Sequence, residues 1–462
     1  MLKKGLGKSR EVRIGSQDFG MAKNTLILWP YNCIHIYDKN HNLGPNTTTL
    51  TKRSDSNYFP ALTGVRAMAA YLVFISHYCY VFDAIFPHIV QRFLGEFHIG
   101  VSIFFVLSGF LITFRYYDKF SVLSKKWFLQ YLKNRVARIY PMYFLLTVAA
   151  FVYYFITKDP IVVQKSTINP VLLMVLNITF IRGFFYQFWD TGIAQGWSLT
   201  VEECFYFSAP IIFLIAKRYN KFYIQPVIIT LFAVVMVFIF SHINWYGFFG
   251  NFPFVLLFTF FGRCFEFFVG VQLARIMLKK GFERKTSIPF TYGGFILIFV
   301  CVLIMAFQPI PAGWAAGLES PAGIITNNYF LCIAVALFFY GILTEGTVFK
   351  KFLGLPFIEL LGKSSYIFYL IHLGWMETLI RNTCDSLNDK VFDLYDKWGV
   401  NWHSPFEYDW LNLLYAFIIL NIISVTLFKL IEEPLNHFIR KSDFLIKNKP
   451  RNPDNLAQNI KP

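Results

Sequence analysis

Long apolar runs separated by short polar stretches organise most of the chain. Eleven such runs fall near 61–82, 98–115, 139–157, 168–184, 197–216, 223–242, 253–277, 288–307, 324–344, 364–380 and 411–431. Most approach the roughly 20 residues that a bilayer-spanning helix requires. None has the short alternating pattern of a barrel strand. The pattern predicts an all-α, polytopic transmembrane helix bundle.

The charges between the runs decide how many of them cross. Lys and Arg collect on the cytoplasmic side of membrane proteins. The tail before Arg66, the loop RYYDKFSVLSKKWFLQYLKNRVAR, the turn KRYNK, the loop KKGFERK and the tail HFIRKSDFLIKNKPR are all basic. The stretch QPIPAGWAAGLESPAG carries no Lys or Arg and is placed outside. If 168–184 crossed, KRYNK would fall outside and every later loop would invert. That run also carries Asn169, Asn177 and Arg182, so it is read as re-entrant or interfacial. About ten spans remain, with both termini cytoplasmic.

Composition fits this picture. Of 462 residues, 56% are hydrophobic and 15% charged, and 55 are Phe. The net charge of +16 could suggest nucleic acid. Its placement in short loops and tails argues instead for membrane topology, with a lipid bilayer and no nucleic acid as partner. The seven cysteines are scattered and form no metal or disulfide pattern. Residues 1–57 read as a polar, basic N-terminal tail, 58–440 as the membrane domain and 441–462 as a cytoplasmic C-terminal tail. The segment NTLILWPYNCIHIY is too short and polar to span.

Ionisable residues inside the runs are the candidates for chemistry, because each is costly to insert. Arg66 and His77 are 11 residues apart. On a helix that places them on one face, about 16 Å apart. A histidine is a natural general base near neutral pH. In GWSLTVEECFYFSAP, Glu202 and Glu203 follow Trp197 and point about 100° apart, so one role does not easily suit both. In KNRVARIYP, Arg135 and Arg138 share a face. They are either positive-inside charge or a phosphate clamp. Arg263 and Glu266 read as an intramembrane ion pair. Tyr366, Tyr369 and His372 lie in one run, and Tyr369 and His372 can share a face. EEP at 432–434 reads as a helix terminator.

Taken together, PALTGVRAMAAYLVFISHY, FFVLSGFLIT, KNRVARIYPMYFL, WSLTVEECFYFSAPIIF, GRCFEFFVG, SYIFYLIH and EEP resemble the acyltransferase 3 family of membrane proteins. The order and spacing match from about 58 to 440. The resemblance implies ten helices and transfer of an acyl group, commonly acetyl, from cytoplasmic acyl-CoA to a sugar or glycan hydroxyl. The family's Arg–ten residues–His motif falls on Arg66 and His77, its paired arginines on Arg135 and Arg138, and its WSLxVE glutamate on Glu202. It therefore implies His77 and Glu202 as catalytic and Arg66, Arg135 and Arg138 as donor-binding. Trp197, Glu203, Tyr369 and His372 follow as substrate or structural residues. No metal is implied. The resemblance also points to a bacterial inner membrane. Some members of the family carry a fused extracytoplasmic domain after the membrane region; this chain, with about 30 residues past its last run, is expected to lack it, and a homo-oligomer stays open. The rival expectation is a proton-coupled exporter of a glycan or lipid, which would also carry intramembrane His, Glu and Arg.

Overall fold

The computed structural model describes residues 58–82, 85–121, 124–243, 245–282, 288–310 and 316–442. The expected N-terminal tail, 1–57, lies outside the described residues, as does the C-terminal tail beyond Ser442. In chain order the helices are α1 (Pro60–His77), α2 (His88–Gly95), α3 (Gly100–Tyr116), α4 (Lys125–Thr157), α5 (Pro170–Ile178) and α6 (Gly196–Tyr219). Then come α7 (Ile224–Phe240), α8 (Phe252–Phe258), α9 (Phe260–Lys280), α10 (Phe290–Ala306), α11 (Pro321–Ile325) and α12 (Cys332–Thr344). The last are α13 (Val348–Leu353), α14 (Pro356–Ile371), α15 (Trp375–Trp398), α16 (Asp409–Leu427) and α17 (Glu433–Lys441). Among the described residues there is no strand, only an isolated bridge between Phe185 and Phe248. The all-helical fold is the one expected.

Six helical stretches among the described residues are long and apolar enough to cross a membrane. They are His88–Phe120, Lys125–Thr157, Gly196–Tyr219, Phe252–Lys280, Pro321–Thr344 and Asp409–Lys441. The apolar helices α7 and α10 are shorter, at 17 residues each. The centre of the bundle is α3, which packs on α1, α9 and α12. It meets α9 most closely through two glycines. A Cβ at Gly109 would strike the Phe267 backbone, and one at Gly270 would strike the Val106 carbonyl.

Several boundaries differ from the apolar pattern, each for a local reason. The run 168–184 contains only the 9-residue α5, capped by the Asn169 side chain. The chain then folds around Arg182, whose guanidinium donates to the carbonyls of Trp189, Thr191 and Ile193. Those bonds satisfy irregular backbone that lipid could not. The run 364–380 is two helices, because α14 ends at Ile371 and Gly374 takes φ 93°. The polar stretch that follows, which separates two of the apolar runs, is the helical α15, whose apolar stripe of Met376, Ile380, Cys384 and Leu387 has helical spacing and lines a groove against α16. EEP does not end the last helix. A π-helical turn at Phe428–Glu432 precedes Pro434 and α17 continues to Lys441. Proline lacks an amide proton, so it is tolerated in that first turn.

Candidate active site

The two ionisable residues of α1 lie toward opposite ends of that helix. Arg66 is half-buried and His77 is exposed, while Ala67, Ala69, Ala70, Val73 and Phe74 between them are buried. His77 is the last residue of α1. Its partner helix is α14, and the contact is close because Gly362 rests on the Thr63 backbone where no Cβ fits. Above that contact the Tyr78 hydroxyl donates to the His372 carbonyl, 2.8 Å. The result brings the His77 and His372 rings to 5.5 Å, inclined by 38°.

This histidine end has further walls. The His372 Nδ1 lies 2.8 Å from the Tyr369 carbonyl, and its Nε2 is buried without a partner. Tyr369 shares a 2.8 Å hydrogen bond with Ser198 at the start of α6. Gln195 donates to the Leu373 carbonyl, which holds the same two elements together. Trp197 sits in an aromatic cluster with Phe258 at 4.9 Å and Trp189 at 6.4 Å. His98, which sequence reasoning passed over, is within electrostatic reach of His77 and of Arg263. Its Nδ1 contacts the Gly95 carbonyl at 3.1 Å and its Nε2 is also buried and unpartnered.

The other end is built from arginines. Arg135 is buried between the rings of Tyr116 and Tyr206, 5.7 Å from each centroid. Arg138 is half-buried and within electrostatic reach of Arg66, Glu202 and Glu432. Arg115 at the end of α3 and Arg440 on α17, both exposed, couple to Arg135 and Arg138. Among the described residues none of these five arginines forms a salt bridge. Five cations against two carboxylates leave this end with an excess of positive charge. Arg115 and Arg440 were missed because each looked like ordinary flanking charge. Glu432 was missed because it looked like part of a terminator.

Glu202 lies within the arginine end. Its Oε1 accepts from Ser108 at 2.9 Å and its Oε2 from Tyr206 at 2.8 Å. Ser108 and Tyr206 also meet each other at 3.2 Å. Tyr206 stands four residues after Glu202, the spacing that brings side chains together on a helix. Neither oxygen bonds to His77, which makes no hydrogen bond among the described residues. Glu203 stands about 100° further round the helix, within electrostatic reach of Glu202 and of Arg135. Arg263 and Glu266 form the expected pair, 2.9 Å apart.

Among the described residues no cluster of three or more His, Cys, Asp or Glu could hold a metal ion. Cys204, Cys264, Cys301, Cys332 and Cys384 carry no disulfide; Cys33 lies outside the described residues.

Comparison with known proteins agrees with the motif order. An acyltransferase domain model matches residues 59–429, which include every residue of the histidine end. O-acetyltransferase OatA of Staphylococcus aureus strain NCTC 8325 / PS 47 is 26% identical over 338 residues, covering 70% of this chain and 51% of that protein. The OatA of strain COL matches to the same extent. The chain thus spans about half the length of these curated relatives. No solved structure matches it. The family match covers most of the chain, including Arg66, His77, Arg135, Arg138 and Glu202, and the chain belongs to the acyltransferase 3 family.

Proposed function

We propose that the chain is a membrane O-acyltransferase that carries an acyl group, acetyl in the first instance, from acyl-CoA to a hydroxyl of a sugar or cell-surface glycan. The observation that carries this reading is the placement of two groups along α1. Arg66 stands with a cluster of arginines that form no salt bridge, and His77, exposed and without a hydrogen bond among the described residues, ends the same helix. The names of the OatA relatives support the acetyl group.

The donor's phosphates are read into the arginine end, on Arg115, Arg138 and Arg440, with Arg135 held behind them by Tyr116 and Tyr206. Arg66 and Glu202 line the way in, with Ser108 and Tyr206 fixing the carboxylate. The pantetheine arm then covers the rise of α1 from Arg66 to His77, about 16 Å. At His77 a sugar hydroxyl attacks the thioester carbonyl while the imidazole takes its proton. The C–O bond forms, the C–S bond breaks, and His77 returns the proton to the departing thiolate. Glu202 is assigned here to the arginine end rather than to His77, because both its oxygens are engaged there.

In this reading the arginine end faces the cytoplasm and the histidine end the other side of a bacterial inner membrane. The ten spans are the six long stretches together with α1, α7, α10 and α14. With 18 and 16 residues, α1 and α14 are about 27 and 24 Å long. The test is CoA release by protein purified into nanodiscs, given acetyl-CoA and a panel of glycans. Release that requires both acceptor and His77 supports the reading. Equal release from His77→Ala would remove His77 from the mechanism.

A further inference from the structure

A base that accepts a proton on one ring nitrogen carries an N–H on the other, and that N–H needs an acceptor. In many enzymes a carboxylate supplies it. Among the described residues no carboxylate bonds His77, and the nearest glutamates of the bundle have other partners. Glu202 holds Ser108 and Tyr206. Glu266 pairs with Arg263. Glu377 pairs with Arg381, which also bonds Tyr80. The ring next to His77 is His372, at 5.5 Å between centroids.

The tautomer of His372 follows from its contacts. A carbonyl oxygen can only accept, so the Nδ1 that lies 2.8 Å from the Tyr369 carbonyl carries the proton. In the neutral ring Nε2 is then a lone-pair acceptor. That atom is buried, and it has no partner among the described residues. The ring is held rigidly. Phe368 stacks on it at 6.0 Å and 6°, Phe74 meets it edge-on at 6.3 Å, and the Tyr78 hydroxyl fixes its carbonyl. Such a support is what a pre-organised acceptor needs.

Resting on the reading of His77 as the base, we propose that His372 is its positioning residue. Nε2 of His372 accepts the N–H on the His77 nitrogen that faces away from substrate. It sets the His77 tautomer before the reaction and stabilises the imidazolium during it. His372 exchanges no proton. The remaining titratable groups around the pair are His98, Tyr78, Tyr369, the two ion pairs named above and Glu96, whose Oε2 lies 3.8 Å from the His98 Nδ1. None of these carboxylates bonds His77 or His372 among the described residues.

Two substitutions separate positioning from architecture. Asparagine at 372 can keep the contact to the Tyr369 carbonyl but lacks an acceptor where Nε2 was. Glutamine places an amide oxygen near the Nε2 position and forgoes the backbone contact. Transfer is measured from acetyl-CoA to a glycan in nanodiscs, on variants that remain monodisperse. His372→Asn is expected to lower kcat roughly 100-fold with KM for acetyl-CoA unchanged. His372→Gln is expected to recover about tenfold of that loss. Full activity in His372→Asn, or Gln no better than Asn, would overturn the proposal. So would an effect confined to KM of the acceptor, which would make His372 a sugar contact. His77→Ala runs alongside. If it retains activity, the base reading itself fails. If it is dead while His372→Asn is unimpaired, only the positioning role fails.

Discussion

Replacing Glu266 by leucine tests the buried network that carries α9 against α3. Glu266 is 0% and Arg263 3% exposed. The Glu266 Oε1 accepts from Arg263 Nε at 3.0 Å and from a terminal nitrogen at 2.9 Å. The guanidinium also donates to Ser102 and to the Leu257 carbonyl, 3.0 Å each, and lies 5.2 Å over the Phe105 ring. Glu266→Leu removes the carboxylate and leaves the cation buried among neutral groups. Breaking one side of a buried pair costs about 3–5 kcal/mol. The double variant Arg263→Met, Glu266→Leu removes the charge too and leaves Ser102 and one carbonyl with less hydrogen bonding, at about 1–3 kcal/mol. The double variant is therefore expected to be the more stable of the two, by about 2 kcal/mol. Apparent melting in nanodiscs should drop by roughly 6–10 °C for the single variant and recover by several degrees in the double. A double variant that melts no higher than Glu266→Leu would refute the reasoning, because the trapped charge would then not be the source of the loss.

Other expectations follow from the same structure. Arg115→Ala and Arg440→Ala should each raise KM for acyl-CoA by roughly tenfold or more, the worth of a charge-assisted contact, with kcat little changed. Added salt should weaken donor binding in the wild type and do so less in these variants. Tyr206→Phe and Ser108→Ala each remove one donor from Glu202, a loss of about 1.5–3 kcal/mol that should appear as a 10- to 100-fold drop in kcat/KM. Gly362→Val forces α14 off the Thr63 backbone. It should destabilise by about 1–3 kcal/mol and lower turnover, because the same contact sets the His77–His372 spacing.

The sequence carried the helical class and the main polar residues because both depend on local features. Apolar runs near 20 residues state the solvent, and an ionisable residue within one is costly enough to mean something. Arg66, His77 and Glu202 stood out as candidates on that ground, and the order of the motifs identified the family. What was not legible depended on tertiary contacts. Nothing near His77 in the chain indicates that its neighbour is His372, almost 300 residues away and set there by glycine-mediated packing of α1 on α14. Glu202 was expected to be catalytic with His77, and nothing in the chain indicates that Ser108 on another helix bonds its carboxylate. The break at Gly374 and the helix that follows were hidden because the apolar run crosses them without a pause. Charged residues on α15 read as loop, while the stripe of Met376, Ile380, Cys384 and Leu387 made it a helix.

The central claim is that His77 transfers an acyl group from a thioester to a sugar hydroxyl. The most direct measurement uses acetyl-CoA carrying an isotopic label in the acetyl group, with purified protein and a defined glycan. Mass spectrometry of the glycan is the readout. The account predicts labelled O-acetyl ester on the glycan in step with free CoA from the wild type, and neither from a folded His77→Ala variant. An unlabelled glycan, or the same labelled ester from His77→Ala, would contradict it.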